Sequence, residues 1–173
     1  NILARGAQEA GRLIALEKGS PYAESLAVEV FGALQSLNYY GRNQGRLLRS
    51  RRAGHHTPLF LNKSGRFHFH PLGPTLIVSP WNFPFLIPVC DTLSALTAGN
   101  TVVLRPSTST PLTALLIGEV LVEAGLPPGV LNVVVCRVPE AEAMIVHPDV
   151  LSVMFTGSVG IGKRVVELCS RNL

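Results

Sequence analysis

Three short segments combine residue types and spacings that could do chemistry. Ser79-Pro80-Trp81-Asn82-Phe83-Pro84 holds one amide side chain, Asn82, between two prolines. Proline fixes φ, so the loop is stiff. An amide held stiffly suits the stabilisation of an oxyanion; the same residues also read as a strand-to-helix turn whose Asn bonds nearby backbone. Arg105-Pro106-Ser107-Thr108 places a cation and hydroxyls directly after an apolar run. That set could grip a ribose or a phosphate, or form an ordinary capped loop. The third segment is Thr156-Gly157-Ser158-Val159-Gly160-Ile161-Gly162-Lys163-Arg164. Its glycines would let a phosphate approach backbone N–H groups at a helix N-terminus. Gly157 to Lys163 satisfies G-x-x-x-x-G-K, but Arg164 stands where a magnesium-binding hydroxyl belongs, and the glycine order departs from G-x-G-x-x-G.

Other reactive residues form weaker sets. His68 and His70 share one face of an extended segment, with His55 and His56 close in sequence, but no neighbouring acid or Cys completes a metal site. There is no G-x-S-x-G elbow. The three cysteines, Cys90, Cys136 and Cys169, match no zinc spacing and read as small buried hydrophobes. So few cysteines fit a reduced, cytoplasmic setting.

These segments need a frame to hold them. With 173 residues, 47% hydrophobic and 15% charged, the chain has the length and composition of one folded domain. No apolar run is long enough to span a membrane. The chain starts without Met or a basic-then-apolar leader, and reads as a trimmed or partial chain. The net charge of +4 is uneven, because residues 41–66 contain Arg42, Arg46, Arg49, Arg51, Arg52, Lys63 and Arg66 and no acid. Such a stretch can mark phosphate or nucleic-acid binding, but the aromatics nearby form no nucleic-acid motif. A solvated helix end or a subunit contact accounts for it.

Helical spacing of Ile2, Leu3, Ala7, Ala10, Leu13, Ile14 and Leu16 predicts a first helix, broken at Gly19-Ser20-Pro21. A second helix is predicted over 23–51. The period then changes to two, predicting a β-hairpin with strands 57–61 and 66–70. From Pro74 onward strands and helices alternate: strands at 75–79, 101–104, 130–135 and 151–155, and helices at 84–98, 111–124, 139–146 and 158–170. Thr110 is the expected N-cap of the helix that begins at Pro111. Apolar strands with helical crossovers predict an α/β fold, a parallel sheet covered on both faces. In such sheets ligands bind beyond the carboxyl ends of the strands, where all three unusual segments lie.

Taken in order, these segments, with Pro71-Leu72-Gly73-Pro74, Ala98-Gly99-Asn100-Thr101-Val102-Val103-Leu104 and Glu123-Ala124-Gly125-Leu126-Pro127-Pro128-Gly129-Val130-Leu131-Asn132-Val133-Val134, make a series that resembles the NAD(P)-dependent aldehyde dehydrogenase family. The resemblance covers residues 17–170. It implies a Rossmann-like parallel sheet with flanking helices: N-terminal helices at 1–54, a β-hairpin oligomerisation arm at 55–72, and an incomplete NAD(P)-binding domain at 73–173. It implies that Asn82 is the oxyanion-hole residue. It assigns Ser79, Pro80, Trp81, Arg105, Ser107, Thr108, Gly157, Ser158, Ile161 and Gly162 to the cofactor, and leaves Lys163 a solvated helix residue. A homodimer or homotetramer of the full-length protein, a small-molecule aldehyde as substrate, no nucleic acid and no membrane follow from the same resemblance.

Departures from the family pattern carry their own expectations. Thr108 stands where NAD-preferring members usually have a Glu that binds the ribose diol, and Arg105 where the family usually has Lys. Removing that negative charge beside a guanidinium favours a 2′-phosphate, so the expected cofactor is NAD or NADP, with NADP accepted or preferred. Cys136, Val138 and Glu142 stand where glycines shape the adenine side of the pocket. The family's nucleophilic Cys and general-base Glu belong to segments beyond the glycine-rich turn. The parent protein is therefore expected to oxidise an aldehyde to an acid through a thiohemiacetal on a Cys outside this chain, and the 173-residue span to show no turnover. A P-loop-like nucleotide-binding protein and a non-catalytic truncated assembly module are the rival readings.

Overall fold

The helical spacing at the start of the chain is realised as α1 (Ile2–Arg5) and α2 (Ala7–Lys18). The structure, a computed structural model, describes residues 2–54, 57–60 and 62–172. Leu3, Ala10 and Ile14 are buried, but Leu16, expected on the apolar stripe, is exposed. It lies two positions beyond Ile14, and residues at i and i+2 of a helix face different sides. Gly19 adopts a left-handed conformation and closes α2, its N–H donating to the Ala15 carbonyl. The second helix starts as α3 (Tyr22–Glu24), passes through a π-helical segment (Ser25–Val30) and continues as α4 (Phe31–Leu47). It stops short of the expected end at Arg51 because that residue belongs to a strand.

The hairpin forms with a different partner strand. β1 (Arg51–Ala53) pairs antiparallel with β2 (Gly65–Phe67), Arg52 opposite Arg66. The expected first strand is not formed at Pro58–Phe60, which is a 3₁₀ turn. Pro58 has no N–H to give a ladder and its φ suits a turn. Leu61, His55 and His56 lie outside the described residues. The second strand ends at Phe67, yet His68 and His70 still sit together, their rings 6.5 Å apart. Ser50 and the Nδ1 of His68 share a hydrogen bond at 2.9 Å.

From Thr75 the alternation follows the sequence closely. It runs β3 (Thr75–Val78), α5 (Leu86–Thr97), β4 (Val102–Arg105), α6 (Pro111–Glu123), β5 (Leu131–Val133), α7 (Val138–Ile145), β6 (Ser152–Phe155) and α8 (Val159–Cys169). The strands form one parallel sheet in the order β5-β4-β3-β6. The order reverses direction between β3 and β6, which makes the gap beyond their carboxyl ends a topological switch point.

Side-chain alternation along the strands separates two cores. Ile77, Val102 and Leu104 face one side, packed with Ile14, Val30, Phe85, Val89 and Ile117 of the N-terminal helices, α5 and α6. Leu76 and Val78 face the other, packed with Ile145 of α7 and Val165 and Leu168 of α8. Asn100, just past α5, fastens the sheet's entry: its Oδ1 accepts from the N–H groups of Leu72 and Gly73 at 2.7 and 3.0 Å.

The cap of α6 differs from expectation. Thr110 occupies the N-cap position but its side chain makes no capping bond. Glu17 of α2 supplies the acceptors instead. Its carboxylate receives the N–H groups of Leu112 and Thr113 at 2.6 and 2.8 Å and the Thr113 hydroxyl at 2.6 Å. Two ionised oxygens outcompete one neutral hydroxyl for the same donors.

Candidate functional site

Parallel register brings the ends of three strands into one row. Val78 pairs with Arg105 on one side and with Phe155 on the other. The segments that follow leave the same edge of the sheet side by side. Ser79 N donates to the Arg105 carbonyl at 3.1 Å, and Thr156 N donates to the Val78 carbonyl at 3.1 Å. The three segments singled out by sequence therefore converge, and a cleft of about 670 Å³ opens between them.

Ser79, Pro80, Trp81 and Asn82 line one side of this cleft, Arg105 and Ser107 its floor near β4, and Gly157, Ser158 and Ile161 the side toward α8. The far walls are apolar: Val138, Ala141 and Ile145 of α7 face Val165 and Leu168 of α8. Thr108 is exposed and does not line the cleft, nor does Gly162, which packs beside the Phe155 ring. Lys163 is exposed and outside the lining, so the residue that would serve a P-loop does not reach the cleft.

Polar groups here are held ready rather than consumed. Asn82 is exposed, and its amide bonds no local backbone among the described residues. The Ser79 hydroxyl and Arg105 Nε are buried and have no hydrogen-bond partner among the described residues. Buried polar atoms normally have partners; these two belong to residues on one side and on the floor of the cleft. Arg105 spends one donor locally, Nη2 reaching the Cys136 carbonyl at 2.8 Å. The Ser107 hydroxyl accepts from Ser109 N at 3.2 Å. Ser158 caps α8 loosely, its hydroxyl 3.5 Å from Ile161 N.

Gly157 is closely packed: a Cβ there would lie 2.6 Å from the Phe155 ring, so a larger residue must displace the ring or the turn. The cysteines are partly buried and unpaired, and none of them lines the cleft.

Sequence reasoning passes over two parts of the site. The first is the ion pair Glu142–Arg164, which joins α7 to α8 at 2.9 Å. The hydrogen bonds and charge of Arg164 hold the Glu142 carboxyl below its ordinary pKa, and those of Glu142 and Glu167 hold the Arg164 guanidinium above its own. The second is the anchor beneath the Asn82 loop. Glu29, fully buried in the π-helical segment, accepts from Phe85 N at 2.9 Å and from Lys18 Nζ at 3.1 Å. Lys18 Nζ also lies 4.7 Å from the centre of the Phe83 ring. The available signal was an acid at an otherwise apolar helix position.

Strand order, crevice and loops together define a Rossmann-like nucleotide-binding domain. The chain matches the aldehyde dehydrogenase family over residues 1–173, and it belongs to that family. It is 40% identical over 172 residues to 2,5-dioxopentanoate dehydrogenase of Saccharolobus solfataricus, covering 96% of this chain and 34% of that protein. PnpE, solved in complex with nicotinamide adenine dinucleotide, superposes with a TM-score of 0.91 at 30% identity, over 99% of this chain and 34% of PnpE. An E. coli NADP-dependent enzyme does so with a TM-score of 0.91 at 31% identity, over 99% of this chain and 35% of that enzyme. The chain spans about a third of the length of the curated relatives it matches. Among the described residues no helix is long and apolar enough to cross a membrane.

Proposed function

We propose that this chain is the cofactor-binding portion of an NAD(P)-dependent aldehyde dehydrogenase, and that its crevice holds the dinucleotide. One observation carries the reading: Ser79, Asn82, Arg105 and Ser158, which follow or end three different strands, line one cleft at the switch point of a parallel sheet. The residues fit the group. Gly157 leaves room for phosphate beside the turn, Ser158 and the first N–H groups of α8 favour an anion, and Trp81 and Pro80 give a rigid flank. Ser107 and Arg105 stand at the ribose side, with Ile161 and Gly162 supporting the α8 end. A bound nicotinamide dinucleotide supplies the two-electron acceptor for aldehyde oxidation.

Asn82 is the catalytic residue of this portion. Its unengaged amide N–H donates to the oxygen that becomes negative when a nucleophile adds to the aldehyde carbonyl. The resemblance to the family implies a nucleophilic Cys outside this span, and none of the three cysteines lines the cleft; the chain by itself binds cofactor without turnover. The substrate class is a small-molecule aldehyde, the product a carboxylic acid. The layout is N-terminal helices, a hairpin arm whose paired strands are Arg51–Ala53 and Gly65–Phe67, used for homodimer or homotetramer contact, and the cofactor domain (73–173), working in the cytoplasm.

NADP is the preferred form. The Arg105 guanidinium suits a 2′-phosphate, and Thr108 brings no negative charge to the loop that follows β4. Trp81, the single tryptophan, lines the cleft and reports binding through its fluorescence. Titration of the intact chain with NADP and NAD is expected to give the lower dissociation constant for NADP. Arg105→Met, which removes the guanidinium that lines the cleft, should weaken NADP more than NAD. A strong preference for NAD removes the NADP assignment, and binding of neither removes the whole reading. Incubation with a generic aldehyde and either cofactor should yield no reduced cofactor.

A further inference from the structure

The hairpin carries positive charge that no acid close in sequence balances. Between Glu29 and Asp91 the chain has no Asp or Glu, and the hairpin lies inside that stretch. Arg52 of β1 stands directly opposite Arg66 of β2. Directly opposed residues of an antiparallel pair share a face, and like charges there destabilise the pairing. The hydrogen bond between Ser50 and His68 continues the register by one step. Ser50, Arg52, Arg66 and His68 therefore belong to one face of the ladder.

Arg49, Ser50, Arg51, Arg52 and Arg66 border one open concavity of about 710 Å³. Among the described residues none of these arginines pairs with a carboxylate, whereas Arg137, Arg164 and Arg171 all do. Arg51 instead lies near an aromatic face, its Cζ 5.9 Å from the centre of the Phe69 ring. Solvation leaves Arg52 and Arg66 repelling each other, in a two-stranded ladder of the kind that is marginal without support. A compact anion with several negative charges reverses that term, because guanidinium forks take phosphate oxygens two at a time. Phe67, opposite Arg51, lies on the other face, where it remains for subunit contact.

We propose that this concavity is a binding site for a compact phosphate anion of several charges, a condensed phosphate group held by Arg52 and Arg66 across the ladder with Arg49 and Arg51 at its margin. Its lining shares no residue with that of the crevice, and the proposal does not rest on the dinucleotide reading.

The test titrates the intact chain with sodium tripolyphosphate by calorimetry at low ionic strength, with thermal unfolding as the check on folding. One saturable site is expected, weakening as salt is added. Arg52→Gln and Arg66→Gln should each weaken it by about five- to tenfold. Arg66→Glu sets a carboxylate opposite Arg52, so the ladder gains a favourable pair and the site should be lost with folding intact. Arg42→Gln and Arg46→Gln, on α4 outside the concavity, remove the same charge and should leave the affinity within about twofold of wild type. Losses there equal to those at Arg52 and Arg66 would mean that net charge is read, and overturn the site. Trp81 lines the crevice, and its fluorescence should stay constant through the titration; a change that tracks the heat puts the anion in the crevice and overturns the site as well. Oligothymidylate, the other source of closely spaced phosphates, carries one charge per phosphodiester and is expected to bind more weakly. Tighter binding of oligothymidylate would make the face a nucleic-acid surface and overturn the assignment to a compact anion. Absence of tripolyphosphate binding by the wild-type chain overturns the proposal outright and leaves the dinucleotide reading untouched.

Discussion

The carboxylate of Glu29 receives the backbone N–H of Phe85 at 2.9 Å, from a side chain with no exposure and 56 residues away in sequence. Phe85 stands three residues after Asn82, so the loop that carries the candidate oxyanion donor is tied to the π-helical segment of the N-terminal helices. Burial works against the charge on Lys18, and the hydrogen bonds and charges of Glu24 and Glu29 outweigh it, so the lysine stays charged above its ordinary pKa. Removing Glu29 leaves the Phe85 N–H without its acceptor and Lys18 with Glu24 as its remaining carboxylate partner. Glu29→Ala should cost about 2 kcal/mol of stability, read by urea unfolding with Trp81 fluorescence. An unfolding midpoint equal to wild type would show that the pair contributes nothing.

Helix α6 depends on the same N-terminal region. Glu17 accepts from Leu112 N, Thr113 N and the Thr113 hydroxyl, whereas the Thr110 hydroxyl is buried without a partner. Glu17→Ala is expected to cost about 1–2 kcal/mol, as loss of a helix cap does. Thr110→Ala should cost less than about 0.5 kcal/mol, because no cap bond is lost. Equilibrium unfolding of both variants orders them, and a larger cost at Thr110 would contradict the cap assignment.

What sequence made legible, and what it hid, follows from the range of the forces. β3, β4 and β6 are short apolar, β-branched runs, and their following loops carry Pro or Gly, all local signals. The convergence of Asn82, Arg105 and Ser158 follows from strand order alone. The hairpin partner was hidden because Arg51–Ala53 has no apolar alternation; the backbone ladder with Gly65–Phe67 decides it. The Glu17 cap and the Glu29 anchor join residues far apart in sequence, where no spacing rule applies. Thr108 looked like a cleft residue from its place after β4, yet the turn closed by Ser107 and Ser109 leaves it exposed.

A side chain at Gly157 would meet the Phe155 ring. The Phe155 ring lies where a Cβ would go, 2.6 Å from its position, so Gly157→Ala must displace the ring or the turn. Overpacking of this kind costs about 1–3 kcal/mol, and here it falls on the segment assigned to the cofactor. NADP affinity should drop by about tenfold. Adding Phe155→Leu to Gly157→Ala removes the ring edge and should recover part of the loss. Titration through Trp81 fluorescence measures all three chains, and an alanine variant that binds as wild type would refute the packing constraint.

Asp91 of α5 gives the fold a dependence on pH. Burial alone raises its pKa above the ordinary carboxylate value. The folded state then holds the proton more tightly than the unfolded chain. Its contribution is fully present below the unfolded pKa of about 3.9 and is lost as pH rises through the folded pKa. Asp91→Asn removes the titration. The variant should melt with the wild type at about pH 3, where Asp91 is protonated in both states, and above it by about 2 °C at pH 7. Thermal unfolding across that range checks the sign. A variant less stable than wild type at neutral pH would mean that the Asp91 carboxylate is stabilised rather than penalised where it sits.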